Sequence, residues 1–360
     1  MKDRNTGFGH INDGNIKRRI ELKVAIVILN WNGAHHLKEF LPNLLKYTSS
    51  PDVVIYVADN GSRDNSLLLI GKDFQEVKVL LFPKNYGFAE GYNRALAQIE
   101  ADYYVILNSD VEVTENWLQP MLEYLEQNTD VVACQPKILS YHQRNKFEHA
   151  GAVGGFIDYL GYPFCRGRVL AVTEEDNGQY DDICDIFWAT GACLMIRAKE
   201  FNDEGGFDDD FFAHMEEIDL CWRLKSRGYR IVCVPQSKVY HVGGGTLNVE
   251  HPQKTYLNFR NNLFLLYKNL SKSRLAPIMV LRFFMDYLAA FQLLITGKPK
   301  NAFAVFKARR DFKKMLPKFK FKRVENIQKK TVRHIPEILK KSIVVNYYIL
   351  GNKRYSDVNK

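Results

Sequence analysis

The chain has 360 residues, 46% hydrophobic and 25% charged, with a formal net charge of +9. That composition excludes disorder as the default and leaves room for one large domain with an accessory segment. Six scattered cysteines with no CxxC exclude a disulfide scaffold and a cysteine metal cluster, and they favour a reducing, cytoplasmic compartment.

Residues 1–22 are polar and basic and read as a mobile tail with no secretory leader. The periodicity then changes. "KVAIVILNWNG" (23–33) is a short apolar run of the buried-strand type, and "HHLKEFLPNLLKYT" (35–48) has helical spacing. "VVIYVADNGS" (53–62) is a second strand, "SLLLIGKDF" (66–74) a helix and "VKVLLFP" (77–83) a third strand. "GFAEGYNRALAQI" (87–99) is a helix, "YYVILNSD" (103–110) a strand, "WLQPMLEYLEQN" (117–128) a helix and "VVACQPKIL" (131–139) extended. Apolar strands alternating with helices predict a doubly wound α/β sheet with mostly parallel pairing and both faces covered.

Polar residues gather just past the strand ends: Asn30 and Asn32, then Asp59, Asn60 and Ser62, then Asn85 and Gly87, then Asn108, Ser109 and Asp110. One such cluster is a turn. Four on the same edge indicate a site, because ligands of open α/β sheets bind in that crevice. No GxGxxG follows the first strand and there is no GxxxxGK[ST], which disfavours a dinucleotide fold and a P-loop. The glycines at 243–245 read as a flexible loop.

Further on, "FFAHMEEIDLCWR" (211–223) places Glu216, Glu217 and Asp219 beside an apolar patch. Acidic residues suit a first helical turn, and Asp219 can pair with Arg223 at i, i+4. The last segment is basic. Residues 271–341 hold 19 Lys or Arg against 4 Asp or Glu, which points to an anionic partner. Within it, "APIMVLRFFMDYLAAFQLLITG" (276–297) is apolar but interrupted by Arg282, Asp286 and Gln292. Charges at the centre of a span are costly, so an interfacial helix fits better than a crossing one. "FAVFKARRDFKKMLPKFKFKR" (303–323) adds aromatic and basic residues suited to anionic lipid. The alternative is a helical pair packed on the main domain with a solvated basic face. The divisions expected are a tail (1–22), a catalytic domain (23–270) and a basic amphipathic helical extension (271–360).

Six stretches in order, "VAIVILNWNG", "VADNGSRDNS", "NYGFAEGYNRAL", "VILNSDVEV", the run from "TGACLMIR" to "YRIVCVP", and "YHVGGGT", resemble the large family 2 glycosyltransferases of the GT-A fold. Within them they resemble the rhamnosyltransferase-like branch, over about residues 23–265. The resemblance implies an inverting enzyme that moves a sugar, rhamnose by preference, from a UDP- or dTDP-sugar to a hydroxyl of a growing cell-surface glycan. The acceptor it implies is a glycan or polyprenyl-linked saccharide. It further implies that Asp59 receives the imide N–H of the base by a charge-assisted bond. Asn30, Asn32, Asn85, Gly87, Gly91, Asn93, Asn108, Asp110, Thr190 and Gly191 would line the nucleotide sugar. Asp110 would bind Mn²⁺ or Mg²⁺ with His241, which tilts the choice to Mn²⁺. Asn108 stands where the family's metal motif usually has its first Asp. Glu216 and Glu217 match an acidic pair whose second member is the general base. The family's pair is usually Glu-Asp, so Glu217 stands where Asp is commonest, and Glu217 is preferred as the base. Trp188 is either a sugar-stacking acceptor residue or core.

Two rivals remain at this level. A nucleotidyltransferase would need a Gly- and Arg-rich loop after the first strand, which "LNWNGAHH" lacks. A non-catalytic carbohydrate- or nucleotide-sugar-binding protein could keep the fold, with Asn108 as its best argument. No nucleic-acid module is visible. The expected location is cytoplasmic, peripheral on the cytoplasmic face of the membrane.

Overall fold

A computed structural model describes residues 23–243 and 251–358. The expected tail, and Gly244 and Gly245 of the expected glycine loop, lie outside the described residues. Val24–Asn30 (β1) is buried almost throughout. Ala25 and Val27 join one apolar cluster and Val24, Ile26 and Ile28 another, so helices cover both faces of the sheet.

The chain continues through Ala34–Tyr47 (α1), Val53–Asp59 (β2), Ser66–Asp73 (α2), Lys78–Leu81 (β3), Gly87–Leu96 (α3) and Tyr103–Leu107 (β4). It then forms Val111–Val113 (β5), Gln119–Gln127 (α4) and Val131–Ser140 (β6). The fourth strand thus stops at Leu107, leaving Asn108–Asp110 in the turn. Short strands follow at Gly155–Asp158 (β7), Pro163–Cys165 (β8), Arg168–Val169 (β9), Val172–Thr173 (β10) and Cys184–Asp185 (β11). Next come Cys193–Arg197 (β12), Ala198–Asp203 (α5), Glu216–Ser226 (α6) and Arg230–His241 (β13).

The main sheet has the order β11-β13-β6-β12-β4-β1-β2-β3, with β5 on β13. β1 pairs in parallel with β2 and β4, and β13 with β6, while β12 runs antiparallel between β4 and β6. This is the doubly wound, mostly parallel mixed sheet expected. One register decides the site: Asn30 lies opposite Asp59 where β1 and β2 both end.

Three helices close the chain's second half: Pro252–Asn269 (α7), Lys272–Ile295 (α8) and Pro299–Gln328 (α9). Then Ile338–Leu339 (β14) adds to β7, and Ile343–Tyr348 (α10) and Tyr355–Val358 (α11) follow. α10 is anchored by its Ile343 N–H, which donates to Asp158 at 2.9 Å. α9 is tied to the body through Lys322, which meets both Asp208 and Asp210. The basic extension is therefore packed on the catalytic body along its inner side.

Candidate active site

At the end of β2, Asp59 is buried and held in place. Asn30 Nδ2 donates to its Oδ2 at 3.1 Å, and the Ser62 N–H donates to its Oδ1 at 2.9 Å. Each carboxylate oxygen keeps a further lone pair. Asn30 Oδ1 is buried with no protein partner. Asn32, at φ 53°, straps the two turns together: its N–H donates to Ser62 Oγ at 2.9 Å and its Oδ1 accepts from the Arg63 N–H at 2.7 Å.

The next loop is locked by two amides. Asn60 Nδ2 donates to Asn85 Oδ1 (3.2 Å) and to the Gly87 carbonyl (3.0 Å), and Asn85 Oδ1 also accepts from the Gly87 N–H (2.7 Å). Gly87 has φ +80°, and a Cβ there would lie 2.5 Å from the Phe212 ring. The Phe88 N–H donates to the Phe212 carbonyl at 2.6 Å, and a Cβ on Gly191 would lie 2.7 Å from Phe88. The loops after β3, before β12 and before α6 thus meet at this edge. Thr190 is buried between Gln135, which accepts its N–H at 3.1 Å, and the Ala192 N–H, which its hydroxyl accepts at 3.2 Å.

Three of the expected site residues have close partners within the protein. Asn93 donates to the Phe207 carbonyl (2.8 Å) and Asp209 (2.6 Å) and accepts from the Phe207 N–H (2.9 Å), so its amide fastens α3 to the segment before α6. Gly91 lets α3 approach β1, since a Cβ would lie 2.8 Å from Leu29. Trp188 is core: its indole N–H donates to the Phe156 carbonyl at 2.9 Å and its ring lies flush on Gly155. It has no free face for an acceptor sugar.

The antiparallel pairing of β13 with β5 carries His241 to the turn after β4. His241 Nε2 lies 3.2 Å from Asp110 Oδ1, and Nδ1 lies 3.4 Å from Glu148 Oε2. Asn108 Nδ2 is 3.4 Å from Nε2. Burial pushes the imidazolium down, but Asp110 and then Glu148 more than offset this and hold it up at about 10. Burial likewise raises Asp110, and His241 outweighs it, so Asp110 stays ionised. Among the described residues, no three His, Cys, Asp or Glu side chains form a metal cluster. Asp110 and His241 nevertheless suit a shared divalent cation, which would take the place of the imidazolium proton between them. Two neighbouring ligands, each about 2.1 Å from such an ion, sit roughly 3 Å apart. The remaining positions would fall to phosphate oxygens.

The acidic pair opens α6 from a twisted segment. Phe212, His214 and Met215 all have positive φ (65°, 69° and 74°) although none is Gly. Such backbone persists only where its surroundings enforce it, and here α7 does so. Asn261 Nδ2 donates to the carbonyls of Phe211 (2.9 Å), Ala213 (2.9 Å) and His214 (2.7 Å), and Arg260 Nη2 to those of Asp210 and Phe211 (3.0 Å each). Glu216 is buried and Glu217 half-buried, and each has an Oε2 without a partner. Burial, then the Glu217 charge, holds the Glu216 carboxyl well above the carboxylate range, and burial pushes Glu217 up to about 7. Asp219 lies at the centre of an ion-pair cluster with Arg223 (3.0 Å) and Lys268 (2.7 Å).

Residues 25–186 match the model for glycosyl transferase family 2. Over that stretch the chain is similar to this family. This glycosyltransferase is 26% identical over 233 residues to an N-acetylglucosaminyl-diphospho-decaprenol L-rhamnosyltransferase of Mycobacterium tuberculosis, covering 61% of this chain and 75% of that one. It is 25% identical over 271 residues to the rhamnosyltransferase WbbL of Escherichia coli K12, covering 70% and 94%. Its fold matches a crystal structure of GalNAc-T7 with UDP, GalNAc and Mn²⁺, at TM-score 0.54 and 15% identity, over 88% of this chain and 58% of that one. The architecture is GT-A.

Glu148, Arg260 and Asn261 escaped the sequence reading. Asn261→Ala in this glycosyltransferase is expected to leave buried carbonyls unpaired, at about 1–3 kcal/mol. The melting temperature should fall by several degrees. Turnover should fall too, with little change in the KM for the nucleotide sugar; an unchanged turnover would show that α7 does not set the α6 start.

Proposed function

We propose that the enzyme transfers a rhamnosyl group, with inversion, from dTDP-rhamnose or its UDP counterpart to a polyprenyl-linked saccharide at the cytoplasmic face of a membrane. The observation that carries the mechanism is Glu217, a half-buried carboxyl pushed up to about 7 at the mouth of a helix fixed by α7. A base with that affinity is about half ionised near neutral pH and still basic enough to take a proton. The acceptor hydroxyl gives its proton to Glu217 as its oxygen bonds the anomeric carbon. The bond from that carbon to the diphosphate breaks, and the nucleoside diphosphate leaves with the electron pair. Attack opposite the leaving group inverts the centre without a glycosyl-enzyme intermediate.

Asp59 holds the base of the nucleotide, and the 85–87 loop closes beside it. Asp110 and His241 would hold Mn²⁺ or Mg²⁺, which when bound would neutralise charge on the departing diphosphate. The relative named for rhamnosyl transfer to a decaprenyl diphosphate sugar supports both the sugar and the lipid-linked acceptor. The UDP and Mn²⁺ in the GalNAc-T7 structure support the nucleotide and metal classes.

The test is release of dTDP or UDP from the nucleotide sugars when Mn²⁺ and a polyprenyl diphosphate N-acetylglucosamine acceptor are supplied. Rhamnose-dependent release that needs both supports the reading. Release from other sugars alone would replace the assignment of rhamnose.

A further inference from the structure

The polarity of α8 is inverted. Its inner stripe, Ile278, Arg282, Asp286 and Ala290, is buried. There Arg282 pairs with Asp286 at 3.0 Å and donates to the Leu160 carbonyl at 2.9 Å and to Asn262, while Arg309 of α9 also meets Asp286. The opposite stripe, at helical spacing, is Val280, Phe284, Leu288, Phe291 and Ile295, and all five are exposed, Leu288 by 68%. In a helix of a water-soluble surface the charges would face out and the apolar residues in. Here the charges Arg282 and Asp286 face the protein.

The exposed apolar surface runs on to α9. Phe283 meets Tyr287 at 4.7 Å between ring centroids, and Tyr287 meets Phe306 of α9 at 5.4 Å. Along the outer side of α9, Lys300, Phe303, Lys307, Arg310 and Lys314 are exposed at helical spacing. Apolar residues rimmed by cations are matched chemically by acyl chains beneath anionic headgroups. A second copy apposed through this same face offers, among the described residues of α8 and the first half of α9, no unengaged acid for that rim. Asp286 is buried, and Asp311 is engaged by Tyr256, Lys307 and Arg310. A crossing helix is also a poor fit, because α7, α9 and the Leu160 turn occupy the inner stripe.

We propose that the outer face of α8, continued by the first half of α9, lies in the plane of an anionic bilayer, its apolar stripe among the acyl chains and its cations at the headgroups. This deepens the membrane part of the proposed function and rests on it for the direction from which the acceptor arrives. It places the enzyme where a lipid-linked acceptor is held, with no membrane-crossing segment required.

Co-sedimentation of the full chain with vesicles tests the proposal. Binding should be at least tenfold tighter to phosphatidylcholine vesicles carrying roughly one-third phosphatidylglycerol than to phosphatidylcholine alone, and should weaken with salt. Leu288→Glu/Phe291→Glu should lose that binding by about tenfold or more while keeping its melting temperature and its stabilisation by dTDP. Lys307→Glu/Lys314→Glu should lose the preference for anionic vesicles. Wild-type protein that stays in the supernatant, or equal vesicle binding by the Leu288/Phe291 variant, would overturn it. So would a dimer in sedimentation equilibrium that the same variant abolishes. Intact stabilisation by dTDP without vesicle binding sinks this inference alone; vesicle binding without any nucleotide response sinks the proposed function alone.

Discussion

Glu217→Gln is expected to lower turnover by about 10²–10⁴-fold, the range a positioned general base contributes. The amide keeps the shape of the side chain and removes its ability to take the acceptor's proton, so binding of the nucleotide sugar should be unchanged. The pH profile gives a sharper readout. Burial raises Glu217 to about 7, and only its ionised form accepts a proton. The wild-type rate should therefore rise with pH through about 7 and level off above it. The Gln variant should lose that limb. Glu216 is a useful control: it is the more deeply buried of the two, and burial and then the Glu217 charge hold its carboxyl well above the usual carboxylate range. Glu216→Gln should cost less than Glu217→Gln, and the reverse order would exchange their roles.

Asp110→Asn is the second large effect. Its carboxylate is buried, kept ionised by His241 against the cost of burial, and next to the imidazole nitrogen that would share the cation. Loss of one negative ligand should weaken metal binding and leave the departing diphosphate poorly neutralised. With several kcal/mol at stake, turnover should drop by about 10³-fold. Titrating Mn²⁺ against activity and against melting temperature checks this. In the variant, Mn²⁺ should no longer raise the melting temperature in the presence of dTDP. An unchanged Mn²⁺ response would remove Asp110 from the metal site. His241→Ala should show the same loss of response, since Asn108 offers no charge to compensate.

The sheet was legible because short apolar runs alternate with helical spacing (β3, at the sheet edge, is the one of these strands that is largely exposed), and the strand ends carried the polar residues on schedule. Asp59 and Asp110 stood out that way, whereas His241 was marked only by the family resemblance; β13 carries it to the turn that holds Asp110. Three residues owe their surroundings to contacts that the sequence does not mark. Asn93, Gly91 and Trp188 sit among residues of the right type, yet tertiary partners far along the chain decide their work: Phe207 for Asn93, Leu29 for Gly91, and Phe156 for Trp188. Asn261 was invisible for the same reason, since its acceptors lie 47 to 50 residues upstream and nothing local marks it. Glu148 lies between β6 and β7 in an irregular stretch without periodicity, where no pattern argument reaches. In α8, Arg282 and Asp286 stood out as charges one turn apart interrupting an apolar run, and they form one stripe. That the stripe faces inward, against Asn262 and Arg309, required the packed helices.

One structure with dTDP and Mn²⁺ bound tests the central claim most directly. The account predicts the thymine imide against Asp59, the ion within roughly 2.2 Å of Asp110 and His241, and Glu217 on the open side of the diphosphate with space for one sugar between. Nucleotide found instead in the charged cleft lined by Asp209, Lys318 and Lys322 would contradict it. So would an ion that leaves Asp110 and His241 untouched.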